Sequence, residues 1–333
     1  MLLKPGETIT TDDYHTAGEP FRILNFGPMK GETVLDRRCW AQTNLDDLRR
    51  FLVSEPRGHS GMYGGFVVPP DDDDGDLGVV FFHSNGFSTA CGHGTIALVT
   101  WALDQKVVDR TGNLTEIVVD VPSGRLLAKA QTENHKVTSV LIKNVPSFVT
   151  ETDIHLETKY GPVNVEIAFG GAFYAFVSTN NLPISARREN LQELVAIGKE
   201  VKESLGDHPK FQHPTEHRLS GCYGTIFWET LHPAEGIHTR ERNVTIFADG
   251  QIDRSPCGSG TSARLALLHH HNQINVDDPF SNEGVAGGSF VGKVESVDHE
   301  FVTTTVEGSA HQYAQSTFYY DPTDSMALGF KPL

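Results

Sequence analysis

Cysteine is scarce in this chain: Cys39, Cys91, Cys222 and Cys257 are the only four in 333 residues. That is too few for a disulfide framework and fits free thiols in a reducing compartment, which leaves thiol chemistry open. No Cys-x-x-Cys or His-Glu-x-x-His pattern occurs, so the usual zinc signatures are missing and no metal is expected. Gly-Lys-Ser/Thr and Gly-x-Gly-x-x-Gly are missing too, which argues against a phosphate loop or a dinucleotide. Basic residues are outnumbered, 27 Lys and Arg against 43 Asp and Glu, for a net charge of −16. Such a chain repels phosphate backbones and anionic membranes, so neither nucleic acid nor membrane is an expected partner. No apolar run nears the roughly 20 residues of a bilayer crossing, and Met1 to Asp13 carries no secretory h-region, so a cytoplasmic location is expected. The acidic loop Pro69 to Asp76 lacks the EF-hand pattern: Pro70 stands where an acidic ligand is needed and the later glutamate is missing. It reads as a solvated hairpin loop.

The length suits two domains of similar size, each with its own core. Apolar residues at 45, 48, 51 and 52, with Asn44 as cap, predict an amphipathic helix over 44–53. A second is predicted over 188–205 from Leu191, Leu194, Ile197 and Val201, stopped by Gly206 and Pro209. Strands are expected at 63–68, 77–83, 117–121, 126–130, 137–142, 163–177, 224–228, 243–247, 301–307 and 316–320. Gly170-Gly171 interrupts one of them, as a bulge or a close backbone approach does.

Two stretches have the same form. Thr89-Ala90-Cys91-Gly92-His93-Gly94-Thr95 and Ser255-Pro256-Cys257-Gly258-Ser259-Gly260-Thr261 each follow an apolar strand and lead into a helix. Phe82 precedes Cys91 by nine residues and Phe247 precedes Cys257 by ten, so strand, loop, cysteine and helix recur almost in register. A duplication accounts for this.

A thiol at a helix N-terminus meets the positive end of the helix dipole and unpaired N–H groups, which favour thiolate. The small residues beside it let a carboxylate reach those N–H groups while charge builds on its α-carbon. Two such helix starts facing one carbon would form a two-base inversion site, one sulfur removing the α-proton and the other supplying one to the opposite face. No cofactor is needed. Cys39 and Cys222 lack this setting and read as packing residues, and His269-His270-His271 reads as a helix terminus.

The chain resembles the proline racemase superfamily nearly end to end. The resemblance rests on His15-Thr16-Ala17-Gly18-Glu19-Pro20, Glu55-Pro56-Arg57-Gly58-His59, Cys91-Gly92-His93, Asn144-Val145-Pro146-Ser147-Phe148, Ala168-Phe169-Gly170-Gly171 and Asp253 to Gly258. It implies an α+β fold of two pseudo-symmetric diaminopimelate-epimerase-like domains, 1–146 plus 315–333 and 147–314. Each would be a curled mixed sheet around a central helix, with the active site in the cleft between them. It further implies Cys91 and Cys257 as catalytic bases, Gly92, His93, Gly258 and Ser259 as binders of the carboxylate and ligand, and Asp253 with His93 at the ring nitrogen. A homodimer is the family-level expectation.

Dehydratases of this superfamily typically carry threonine at the second position, since eliminating a 3-hydroxyl needs a base on one face only; this chain has Cys257. Met62-Tyr63-Gly64 and Gly171-Ala172-Phe173-Tyr174-Ala175 nevertheless look similar to the dehydratase branch. Weighing the thiol pair above general likeness, the sequence favours a cofactor-independent racemase or epimerase of proline or hydroxyproline. The alternative is a trans-3-hydroxy-L-proline dehydratase giving Δ1-pyrroline-2-carboxylate, and the lesser one a non-catalytic imino-acid-binding protein.

Overall fold

The computed structural model describes residues 4, 6, 8–180, 182–232 and 234–331. The chain is α+β. In order it runs β1 (Thr8–Thr16), β2 (Glu19–Asn25), α1 (Val34–Asn44), α2 (Asp46–Val53), β3 (Tyr63–Val68), β4 (Leu77–His83), α3 (Gly92–Asp104), β5 (Leu114–Val121), β6 (Gly124–Glu133) and β7 (Lys136–Lys143). It continues with β8 (Phe148–Thr158), β9 (Gly161–Phe169), β10 (Phe173–Ser178), α4 (Leu191–Leu205), β11 (Cys222–Thr230), β12 (Thr239–Phe247), β13 (Gln251–Asp253), α5 (Gly258–His270), β14 (Phe280–Glu283), β15 (Ser289–Asp298), β16 (Phe301–Gly308) and β17 (Ala310–Tyr319). Two compact units result, Met1–Val140 with Ser309–Leu333, and Leu141–Gly308.

In the first unit neighbouring strands run β17, β1, β2, β3, β4, β5, β6, and the successive pairings are antiparallel, antiparallel, parallel, antiparallel, parallel, antiparallel. In the second the order β8, β9, β10, β11, β12, β14, β15 repeats that series of directions, and β16 adds one more antiparallel partner. Gly64 pairs with both Arg22 and Phe82, as Gly224 pairs with both Tyr174 and Phe247. The recurrence of strand, loop, cysteine and helix in the sequence is thus a recurrence of whole sheets.

Each unit encloses one helix. From His93 to Leu103 every residue of α3 is buried, because β1, β2, β3, β6 and β17 all pack against it. The same holds for Gly258 to Leu268 of α5, surrounded by β8, β9, β10, β15 and β16. A helix buried on all sides requires such a surround. By contrast α4 buries one stripe, Leu194, Ile197, Val201 and Leu205, against β11 and β12.

The expected amphipathic helix over 44–53 is α2, which buries Leu48, Phe51 and Leu52 as the spacing predicts. Asn44 ends α1, and α2 begins after Leu45, which offers no side-chain cap. The capping box of α1, Thr33 with Asp36, makes both reciprocal bonds at 3.1 Å. The expected single strand over 163–177 is the β9–β10 hairpin, with Phe169 opposite Phe173.

Buried ion pairs fix each sheet. Arg22 holds Asp13 through two bonds of 2.8 Å and gives its remaining guanidinium nitrogen to the carbonyls of Leu52 and Arg57. Arg264 of α5 holds Glu241 of β12 at 2.7 and 2.8 Å and stacks 3.7 Å from the Trp228 ring centre. Full hydrogen bonding is what makes such buried charges tolerable. No helix among the described residues is long and apolar enough to cross a membrane.

Candidate active site

The first cysteine cluster lies where β4 and its loop hand over to α3. Cys91 is the N-cap, with extended backbone, and its sulfur accepts the Gly94 N–H at 3.3 Å. That bond explains the glycine: a Cβ at Gly94 would lie 2.6 Å from the sulfur and 2.4 Å from the Phe21 ring. The Cys91 carbonyl accepts both the Thr95 N–H and its hydroxyl at 2.9 Å, which pins the first turn. Gly92 opens the helix and His93 follows, its ring nitrogens 3.4 and 3.5 Å from the Cys91 sulfur. Phe21 and Tyr63 meet the imidazole edge-on, with ring centres 6.0 and 5.0 Å away, and the Thr16 hydroxyl donates to the His93 carbonyl at 2.9 Å. Cys91, Gly92 and His93 thus form one rigid group.

The second cluster lies between β13 and α5. Asp253 ends β13, and its carboxylate accepts the Ser255 N–H at 2.8 Å and the Ser255 hydroxyl at 2.7 Å; the Ser255 oxygen in turn accepts the Cys257 N–H at 3.1 Å. Asn243, Asn282 and Thr261 all donate to the Pro256 carbonyl. These bonds over-determine the loop, and Cys257 is held at φ +59°, a conformation that residues with a Cβ rarely adopt. Gly258 and Ser259 open the helix. A Cβ at Gly260 would sit 2.9 Å from the Cys257 sulfur, the same third-position requirement as at Gly94. A Cβ at Gly170 would be 2.2 Å from the Ser259 carbonyl oxygen, so the β9–β10 turn rides directly on the helix start. The structure thus brings together Asp253, Cys257, Gly258 and Ser259.

The two sulfurs differ in surroundings. Burial, and then the neighbouring Asp253 carboxylate, push the Cys257 thiol up to about 12. The expectation that a helix start favours thiolate therefore fails at this position, because loss of solvent and a nearby negative charge outweigh the dipole. Burial likewise raises the Asp253 carboxyl to about 6, against the opposing Ser255 bonds. Tyr174 stands in a stretch singled out only for its likeness to the dehydratase branch, with no role attached. Its hydroxyl lies 2.7 Å from the Ser259 hydroxyl and 3.6 Å from the Cys257 sulfur, a contact across 83 residues that strand patterning cannot reveal. Thr16 and Phe21 were also missed as supports of His93. Cys39 lies in α1 and Cys222 opens β11, both as free, half-buried thiols. His271, just past the end of α5, meets Glu166 at 2.5 Å.

Comparison with known proteins decides the family. Residues 12–331 match the family described as proline racemase. The chain belongs to the proline racemase family. This proline racemase family member is 40% identical to a trans-3-hydroxy-L-proline dehydratase of Bacillus cereus, over 98% of this chain and 99% of that one. It is 35% identical to a 3-hydroxyproline 2-epimerase of Burkholderia multivorans over the same shares. Among solved structures it is similar to a hydroxyproline epimerase from Agrobacterium vitis with bound trans-4-hydroxy-L-proline, at 26% identity, a TM-score of 0.91, and coverage of 98% and 96%. The family member is an enzyme, and its relatives include dehydratases and epimerases.

Proposed function

We propose that the chain is a cofactor-independent trans-3-hydroxy-L-proline dehydratase in which Cys91 removes the α-proton. The observation that carries this is the Cys91 sulfur itself, which receives the Gly94 N–H and lies 3.4 Å from the His93 imidazole. One donor stabilises a thiolate and the other group can accept or return its proton. The names of the relatives at 39–40% identity add support.

The stereochemistry needs one base. In trans-3-hydroxy-L-proline the carboxylate and hydroxyl lie on opposite faces of the ring, so the α-hydrogen and the hydroxyl share a face. Cys91 takes the proton, the C–H electron pair forms the Cα–Cβ double bond, and the C3–O bond breaks. The proton, held on the Cys91 sulfur or on His93, passes to the departing hydroxyl, which leaves as water. The resulting enamine shifts its N–H proton to C3 and becomes Δ1-pyrroline-2-carboxylate. Gly92, Gly258 and Ser259 are assigned to the carboxylate through first-turn N–H groups, and Asp253 to the cationic ring nitrogen. Substrate contact by Ser259 falls to its backbone, because its hydroxyl is engaged by Tyr174.

The sequence-based preference for a racemase rested on Cys257 as a second base. Its thiol is pushed up to about 12, the protonated state that a partner supplying the second proton would also hold, so the preference for the dehydratase stands on the relatives at 39–40% identity. A 3-hydroxyproline 2-epimerase remains the second reading, favoured by the retained sulfur at this position.

Incubation in D₂O with trans-3-hydroxy-L-proline, trans-4-hydroxy-L-proline and L-proline, followed by NMR, separates the readings. The expected result is loss of the 3-hydroxyl from the first compound with formation of the pyrroline product. Deuterium at Cα with the hydroxyl retained overturns the dehydratase in favour of the epimerase. Intact Cα protons in all three compounds overturn both.

A further inference from the structure

Tyr174 stands second in β10, fully buried, with its ring against Tyr223 and Phe176 at 5.6 and 6.3 Å between centres. A buried phenol needs a hydrogen-bond partner. This one has two, both from the start of α5: the Ser259 hydroxyl at 2.7 Å and the Cys257 sulfur at 3.6 Å. In the first cluster the position two residues after the cysteine is an imidazole that touches the sulfur directly. Here that position is Ser259, and a tyrosine from another strand joins it to the sulfur.

We propose that Tyr174 is the positioning residue that governs how readily Cys257 gives up and regains its proton, through a hydroxyl chain with Ser259 that has two arrangements. Each hydroxyl both donates and accepts. While the sulfur is a thiol, its S–H donates to the Tyr174 oxygen, whose O–H donates to Ser259. When the sulfur is a thiolate, the Tyr174 O–H turns to donate to it, and the Ser259 O–H donates to Tyr174. Two hydroxyls rotate and no proton crosses the chain.

The other groups facing the sulfur within this unit set the background. The Asp253 carboxylate at the end of β13 opposes the thiolate, while the Gly260 N–H of α5 and the Thr245 hydroxyl of β12 favour it. Tyr223 of β11 and the Cys257 sulfur both act on Tyr174, and burial holds that phenol protonated far above neutral pH. The tyrosine is therefore a donor that does not compete for the sulfur's charge.

This inference concerns the Cys257 thiol under either reading of the function, and its test does not need turnover. Iodoacetamide labelling across alkaline pH, read by mass spectrometry of the Cys257 and Cys91 peptides in one sample, reports each thiolate separately. Tyr174→Phe removes the donor that only the thiolate needs, so labelling of Cys257 at a given pH slows about fivefold, the value of one hydrogen bond. Ser259→Ala leaves the Tyr174 O–H with the sulfur as its partner, so labelling quickens about threefold, since a buried donor without an acceptor is the costlier state. The Cys91 labelling rate is the internal reference. Opposite shifts in the two variants support the chain; a purely structural role moves both the same way. Unchanged Cys257 labelling in both, or slowing in Ser259→Ala, overturns it. Ser259→Ala decides the matter alone if Tyr174→Phe does not fold. Failure of the dehydratase reading is distinguishable, because it is absence of turnover with the labelling shifts intact.

Discussion

The helix starts of α3 and α5 share a scaffold and differ in how they treat their sulfur. Both place cysteine ahead of a buried helix, and both need glycine three residues on so that the sulfur can lie over the first turn. Around Cys91 the nearby groups are a backbone N–H and an imidazole. Around Cys257 the backbone N–H of Gly260 recurs, but its companions are a carboxyl, a phenol and the Thr245 hydroxyl, on a backbone held at positive φ. Duplicated architecture thus fixes where a sulfur goes, while the residues beside it determine what that sulfur does.

The largest effect expected from breaking this comparison comes from removing each thiol in turn. Cys91→Ala lowers the rate of 3-hydroxyproline dehydration by about 10³-fold, roughly 4 kcal/mol of barrier. Cys257→Ala lowers it by less than about tenfold. Steady-state rates on trans-3-hydroxy-L-proline check both, and equal losses would mean that the two sulfurs are not divided in role.

Next comes pH, because the second cluster sets a carboxyl beside its cysteine. With Asp253 raised from 3.8 to about 6 in the free enzyme, protonation as pH falls through about 6 removes the anion assigned to the ring nitrogen. The plot of kcat/KM should fall about tenfold per pH unit below that point, and Asp253→Asn should flatten this limb. The folded state also binds a proton between 3.8 and about 6 that the unfolded chain has lost. This group's contribution to stability therefore declines as pH rises through that window. A limb that persists in Asp253→Asn would assign it elsewhere.

The smallest effect separates the two glycines. Gly94→Ala meets a ring of the core at 2.4 Å and the sulfur at 2.6 Å, whereas Gly260→Ala meets the flexible end of Ile226 at 2.5 Å and the sulfur at 2.9 Å. Both should lose about 1–3 kcal/mol of stability, with Gly94→Ala at the upper end. Urea midpoints measure the difference, and a reversed order would show that the second sulfur is the more tightly packed.

Much of this was legible in the sequence because the cysteine motifs are local: strand, turn, thiol and helix occupy about twenty consecutive residues in each half. The enclosed helices could be read from their small and apolar residues. Helix α1 could not, since it buries only Val34, Arg37 and Ala41 and one of these is an arginine; Thr33 with Asp36 was the available signal. Asn44, read as a cap, ends that helix instead. Tyr174 lies 83 residues from Cys257, so only the folded sheet joins them. The thiol of Cys257 was misjudged for a different reason: a helix N-terminus is visible in sequence, but the degree of burial that overrides it is not.

The pairing of β17 with β1 has a consequence for biosynthesis. Residues 141–308 form a continuous segment that can complete its sheet without waiting for residues 309–333. The unit bearing Cys91 has no such option, because β1 keeps an open edge until residues 310–319 have been made. The half that is translated first is therefore the last to be finished.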